Sequence, residues 1–594
     1  MPSAVENIRA NISRASLKDA LLLILVYTVL VLFIVLNLSE AARLLGNALS
    51  AFIFFMGTFL PVFLWWLYAI SRQGDPERVL CHARISFAPV ALLLILLPYN
   101  FFYIRCESLI LYGCLALVLL AMWIFDALLR DARPSPPWPG WRMVAVILAG
   151  YAAIFGGISL LRHWDLQDTR SFDLAIYNQI QWNNIHGHFF ESSASGSNFA
   201  THNSPFLLLL SPLYALYPCP ENLLILKTIF LTLSAIPFYL IVRHFLTAGA
   251  ALPFVLSYLF FPFIIGQNFN APHEVCFLPL FLLFSYYFFI KDRWRPFLLF
   301  LIVSLSFKEH MAMVAVMYGV YALYLKKPWR WVIIPIVMGI IWAVFSIWLI
   351  GYFQTIYQVD PHPAWLLQDL KAHYIFSDPV RGKAILSGLR TSNFADIQSL
   401  GHSYLLFAPL LVVLPFLSAA LWLGIPELLI NNLSSHLLIY PTWQYCVVIS
   451  CFALVACIEG VRTVSSGGWV QKLGFPAHKA HGLLAWLICL CVAGHFFLWA
   501  EFLPVRPQPQ YVQAMNDALR MIPATASVST LKIFAAQVSG RREYFLLEDG
   551  RKGEYILLGQ GVGIKGVFAD PRQASNYGKI FDREGIEVYK EVKR

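Results

Sequence analysis

The stretch SFDLAIYNQIQWNNIHGHFF, residues 171–190, places Asp173, five amides and two histidines in a chain that otherwise reads as a series of apolar runs. Three more polar clusters interrupt those runs: THNSP with His202, QNFNAPHE with His273 and Glu274, and SFKEH with Lys308, Glu309 and His310. Carboxylates and imidazoles exchange protons, and an ammonium group pairs with anions. Ionisable side chains at membrane depth are costly and mark a functional site by default. Each cluster also has a plainer reading. Asp173 could be a surface carboxylate on an interfacial helix, Lys308 and Glu309 could compensate one another, and Pro272 with Glu274 could simply begin a helix. His186 and His188 read as solvated loop residues, and Glu427, inside the apolar run GIPELLI, reads equally as a functional group and as a hydrogen-bonding group within the hairpin. Four clusters delivered to one face argue for a shared site more strongly than any one of them alone.

Apolar runs must position these groups. Hydrophobic residues make up 59% of the chain and charged residues 13%, so water is not its main solvent. The net charge of +10 comes from short Lys/Arg clusters between apolar runs, which positive-inside topology explains and which gives a nucleic-acid partner no support. The ten cysteines have no CxxC spacing and mostly lie in or beside apolar runs, as small packing residues do.

Runs of span length fall at 20–38, 45–70, 87–103, 109–129 and 143–161. With a cytoplasmic N-terminus, the clusters around Arg14, Arg78 and Arg133 all lie inside, and the fifth span delivers the loop 162–203 to the outer face. Further runs follow at 223–240, 251–266 and 275–290, and two short pieces at 297–307 and 311–325 suggest re-entrant or thinned structure around SFKEH. Then come 331–350, a tight hairpin of 404–416 with 419–430, and the runs 447–460 and 483–499. The count is about fifteen spans or re-entrant segments, an odd number that leaves the C-terminal part outside. In FDLAIYNQIQW the aromatic and polar residues alternate around the helix, which predicts an amphipathic helix lying in the outer interface with Asp173 aimed sideways.

The proline-rich linker 503–510 opens the only water-soluble portion. Its pattern predicts helices at 511–521 and 532–539, strands at EYFLL and EYILL, a helix over 571–583 and a strand at IEVYK, which together make a small α/β module. GVGIKG, residues 561–566, matches the dinucleotide fingerprint, but VFADP follows it in place of a helix that could hold a pyrophosphate.

The set FDLAIYNQIQWNNIHGHFF, HNSPFLLLLSPLYALYP, FNAPHEVCFLPLFLL, SFKEHMAMVAVMYGVYALYL and PELLINNLSS resembles the DUF2079 family of predicted membrane proteins, which in turn resembles the GT-C superfamily of polytopic glycosyltransferases. The resemblance runs from about residue 143 to the C-terminus. It implies an all-α polytopic membrane protein with a GT-C-like bundle and a small C-terminal α/β soluble domain. The domains are then a four-span extension at 1–142, a core at 143–502 with the outer loop 162–203, and an extracytoplasmic domain at 503–594. One departure is PTWQYCVV, where the family often carries an aromatic and histidine pair. Gln444 and Tyr445 can hydrogen-bond there, but Gln444 cannot take a proton.

The resemblance further implies transfer of a sugar from a polyprenyl-phosphate donor to an acceptor at the extracytoplasmic face of a bacterial inner (plasma) membrane. Asp173, with Asp168 as second candidate, is then the base. Lys308 and Arg170 hold the departing phosphate, and His202, His273, Glu274, Glu309 and Tyr445 bind substrate. A His, His and carboxylate set could hold a divalent metal, although no short ligand spacing supports one. Two other classes compete: a transporter or lipid flippase, which also uses buried charges and broken helices, and a non-catalytic scaffold whose tail binds a partner.

Overall fold

The computed structural model describes residues 141–167, 171–194, 196–357, 406–433, 444–467, 477–497, 508–559, 561–562, 564–567 and 571–592. The four N-terminal spans, Asp168, Arg170 and the loop 358–405 lie outside the described residues. The chain is mostly helical, with several apolar helices and a small C-terminal sheet.

The helices are α1 (Trp141–Trp164), α2 (Ser171–Ile185), α3 (Phe206–Tyr214), α4 (Pro220–Leu233), α5 (Ala235–Phe245), α6 (Ala248–Phe260), α7 (Pro262–Phe269), α8 (Leu278–Ile290), α9 (Trp294–Leu305), α10 (Met311–Tyr324), α11 (Trp329–Tyr357), α12 (Ile425–Leu433), α13 (Val447–Ser465) and α14 (Ala477–Phe497). Among the described residues four helices are long and apolar enough to cross a membrane: Val144–Trp164, Pro220–Phe245, Trp329–Tyr357 and Val447–Ser465. The pair α6 and α7 would make a fifth, bent by 44°. Its break has a local cause, because Pro262 brings no N–H and holds Phe261 extended at φ −59, ψ 128.

The apolar runs at 404–416 and 419–430 do not form the predicted hairpin of spans. The described part is a series of 3₁₀ turns, Ala408–Leu410, Leu414–Leu417 and Ala419–Gly424, before α12 begins. Pro409 and Pro415 remove backbone donors, Leu411 and Val412 take left-handed conformations, and the Ser418 hydroxyl caps the last turn. The run at 206–214, which the span reading passed over, is the separate helix α3.

Helices α10 and α11 pack as an antiparallel pair whose backbones meet at glycines, so a Cβ on Gly339 would lie 2.5 Å from the Ala312 carbonyl oxygen. Gly339→Ala is therefore expected to cost about 1–3 kcal/mol through overpacking. Thermal unfolding of the purified protein in detergent checks this, and an unchanged midpoint would mean the helices can separate freely.

At one end of the bundle the basic residues gather. Lys327 pairs with Asp292, Arg330 lies over the Trp294 ring and Arg462 over the Phe245 ring. The clusters around His273 and Lys308 lie at the far ends of α8, α9 and α10.

The C-terminal part begins with α15 (Pro509–Arg520) and carries strands β3 (Val528–Thr530), β4 (Tyr544–Leu546), β5 (Tyr555–Leu558), β6 (Tyr577–Arg583) and β7 (Ile586–Glu591); β1 (Glu191–Ser192) and β2 (Gly196–Ser197) form a small hairpin in the loop after α2. The sheet order is β4-β3-β5-β7-β6, with β3 parallel to both neighbours and β7 antiparallel to β5 and β6. The helix expected over 571–583 is absent: a 3₁₀ turn, Pro571–Asn576, leads directly into β6. Glu584 and Gly585, both at positive φ, make the two-residue turn between Arg583 and Ile586, and hairpin pairing overrides local helical preference. The glycine-rich GVGIKG follows β5 and leads into a 3₁₀ turn, Ile564–Val567, in place of a helix.

Candidate functional site

Helix α2 starts with Asp173 in its first turn, where a negative charge suits the helix N-terminus, and is followed by Gly187 at φ 83. It does not lie on a lipid surface, as its pattern predicted, because both of its faces are covered. On one side Ala175 joins the core of the C-terminal sheet with Val528, Val538 and Tyr544. On the other, Leu174, Tyr177 and Ile180 are buried toward the membrane core.

The five amides hold the helix, two of them, Asn178 and Gln179, by bonds to the C-terminal part. Asn178 donates to Ser539 Oγ (2.8 Å) and accepts from Tyr214 Oη (2.6 Å). Gln179 donates to the Arg542 carbonyl (2.7 Å) and accepts from Ser193 N (2.8 Å). Gln181 reaches the Leu207 carbonyl (2.8 Å) and Ser211 Oγ (2.8 Å). Asn183 reaches the Glu191 carbonyl (2.9 Å), and Asn184 holds Ser211 Oγ and Phe190 N. Buried amides held by such bonds fix geometry, since a desolvated group loses its partner if the neighbour moves. They hold the helix that presents Asp173.

Asp173 is about a quarter exposed, and its Oδ2 lies 3.5 Å from His273 Nε2. His273 Nδ1 is 3.3 Å from the Tyr177 hydroxyl, which donates to Glu274 Oε2. Glu274 Oε1 is 3.1 Å from Lys308 Nζ, and both side chains are buried. A continuous chain thus runs from partly exposed Asp173 to buried Lys308. Beside it, Glu309 accepts from Asn203 N (3.1 Å) and pairs with His202 Nδ1 (3.1 Å). Tyr445 lies within electrostatic range of both Lys308 and Tyr177.

Each cluster is fixed by its own element. The loop after α7 is tied to α4 by Lys227, which donates to the Asn270 carbonyl (2.6 Å), and by Thr228, which donates to Asn268 (2.6 Å). His273 then precedes the 3₁₀ turn Glu274–Phe277 that leads into α8, so Glu274 does begin a helical segment as well as meeting Lys308. SFKEH is the junction of α9 and α10, held from α11 by Trp342 Nε1 on the Lys308 carbonyl (3.4 Å). These helices have 12 and 14 residues, so each rises only about 20 Å, some 10 Å short of a typical hydrocarbon core.

Among the described candidates, Asp173, His202, His273, Glu274, Lys308, Glu309 and Tyr445 come together. The partners differ from those read in sequence, because Lys308 pairs with Glu274, and Glu309 pairs with His202. Among the described residues no group of three His, Cys, Asp or Glu side chains is arranged to hold a metal. Glu427 takes the backbone N–H of Ile449 (2.7 Å) in the first turn of α13, so a carboxylate from α12 serves that helix N-terminus. Two buried groups in this arrangement, Tyr177 and Lys227, carry no signal in the sequence beyond an aromatic residue in α2 and a lysine inside an apolar run.

No curated protein matches the chain. Among solved structures, ArnT from Cupriavidus metallidurans bound to undecaprenyl phosphate overlaps 76% of this chain and 98% of its own, with a TM-score of 0.44 and 10% identity. The apo oligosaccharyltransferase of Archaeoglobus fulgidus overlaps 74% of each chain, with a TM-score of 0.38 and 12% identity. Scores of this size describe a loose overlap of helical paths. The family model described as "Predicted membrane protein (DUF2079)" matches residues 162–573, well over half of the sequence, and the chain belongs to that family.

Proposed function

We propose that this integral membrane protein is a glycosyltransferase that moves a sugar from a polyprenyl-phosphate donor to a hydroxyl acceptor at the extracytoplasmic face of a bacterial inner membrane, with Asp173 as base. The observation that carries the reading is the partly exposed Asp173 carboxylate backed by His273, Tyr177, Glu274 and Lys308, at the bundle end opposite the basic residues. A lipid-linked donor presents its anomeric carbon near the headgroups, where such a base can take the acceptor proton as the acceptor oxygen attacks. Lys308, whose charge Glu274 already meets, holds that carboxylate in place, and Arg170 is the cation assigned to the departing phosphate. His202 and Glu309, paired beside the chain, and Tyr445 position the acceptor. The experiment is turnover of a radiolabelled polyprenyl-phosphate sugar by purified protein in lipid. If none is bound or consumed, the transporter and scaffold readings take precedence.

The same reading puts the basic end inside and the sheet domain outside. Ala194→Cys and Arg551→Cys, both at exposed positions, are expected to react with an impermeant maleimide on intact cells above the background of the unsubstituted protein. Reaction only after permeabilisation reverses the orientation and removes the extracytoplasmic site.

A further inference from the structure

The chain from Lys308 to Asp173 has a direction, set by counting hydrogens. Glu274, paired with Lys308 at 3.1 Å, is a carboxylate and can only accept. Tyr177 has one hydroxyl hydrogen and gives it to Glu274. Toward His273 Nδ1, 3.3 Å away, the tyrosine oxygen therefore accepts, so Nδ1 carries the hydrogen. A neutral imidazole has only one N–H. In its neutral form His273 therefore faces the Asp173 carboxylate, 3.5 Å away, with the Nε2 lone pair.

We propose that Asp173 and His273 form a single-proton base: His273 is a positioning residue, turned by Tyr177 and Glu274 so that it has no hydrogen of its own to give Asp173 and instead accepts one through it. An Nε2–H would be spent on the Asp173 carboxylate, whereas a facing lone pair leaves Nε2 able to accept a hydrogen that reaches Asp173. Among the described residues, His273 is faced by Tyr177 from α2 and Glu274 from its own turn, with Lys308 and His202 within electrostatic range of Glu274 and Tyr445 within range of Tyr177.

The use of this pair in catalysis rests on the proposed glycosyl transfer. There, the acceptor hydroxyl proton passes to Asp173 and is shared with Nε2 as the acceptor oxygen bonds to the anomeric carbon. The bond from that carbon to the phosphate oxygen breaks, and polyprenyl phosphate leaves with its electron pair. The shared proton returns to water on the exposed side of Asp173 before the next turnover. The direction of the hydrogen bonds does not depend on that reaction.

The test reads the imidazole directly, with no substrate. The full-length protein, ¹⁵N-labelled at its histidines, is placed in lipid nanodiscs, and the His273 nitrogen signals are identified by their loss in His273→Asn. At high pH the wild-type protein is expected to show Nδ1–H with a bare Nε2. Tyr177→Phe keeps the ring edge-on to His273 but removes the oxygen that fixes Nδ1–H, so the tautomer is expected to switch to Nε2–H. A wild-type spectrum with Nε2–H and bare Nδ1 overturns the proposal, as does a folded Tyr177→Phe protein that keeps Nδ1–H. If Tyr177→Phe fails to fold, the wild-type tautomer alone decides. A correct tautomer in a protein that transfers no sugar would leave the pair standing and remove only its proposed use.

Discussion

Asp173→Asn is expected to lower turnover of a polyprenyl-phosphate sugar by a factor of about a hundred to ten thousand, the usual loss on removing a well-placed base. The replacement keeps size and hydrogen-bonding capacity and removes proton affinity, so expression and thermal stability should stay near those of the parent. The α2 helix is held by its five amides and by the packing of Ala175 and Ile180, none of which the change touches. A plain surface carboxylate would give almost no loss. The measurement is steady-state turnover of radiolabelled donor together with a melting curve for each variant. If Asp173→Asn keeps full turnover, Asp168→Asn is the next variant, and full activity in both would refute base catalysis from this loop.

The polar clusters were legible because ionisable residues stand out against apolar runs, and the solvent of the chain can be read from composition alone. Their partners were not legible. Lys308 and Glu309 are adjacent in sequence, which suggests a mutual pair, but they diverge where α9 meets α10, one toward Glu274 and the other toward His202. Nothing local encodes that divergence. The reading of α2 failed for a similar reason. A helix carrying aromatics and amides looks the same whether lipid or protein covers it, and only the C-terminal domain, more than three hundred residues later, supplies the second surface through Ser539 and Arg542 in the segment between β3 and β4. The runs near 410 and 420 were apolar enough for spans, but their prolines fall where a continuous helix needs donors. In the tail, the Glu584-Gly585 turn was a hairpin signal that outweighed the helical appearance of the segment before it.

Glu274→Ala is expected to destabilise the protein by about 3–5 kcal/mol, because it leaves the Lys308 ammonium buried without its carboxylate. The Tyr177 hydroxyl loses its acceptor in the same step, for about another 1–3 kcal/mol if no water replaces it. The cost belongs to the orphaned partners more than to the pair itself, since taking both charges out of water is expensive to begin with. Replacing all three polar groups, in Tyr177→Phe with Glu274→Leu and Lys308→Met, should therefore recover most of the loss while abolishing the chain that backs Asp173. Thermal unfolding of the single and triple variants in detergent separates two accounts. If the chain is a stability device, the triple variant stays as unstable as the single one. If it is retained for chemistry, the triple variant is stable but slow in donor turnover, the pattern expected when buried polar groups are kept at a cost in stability for the site they serve.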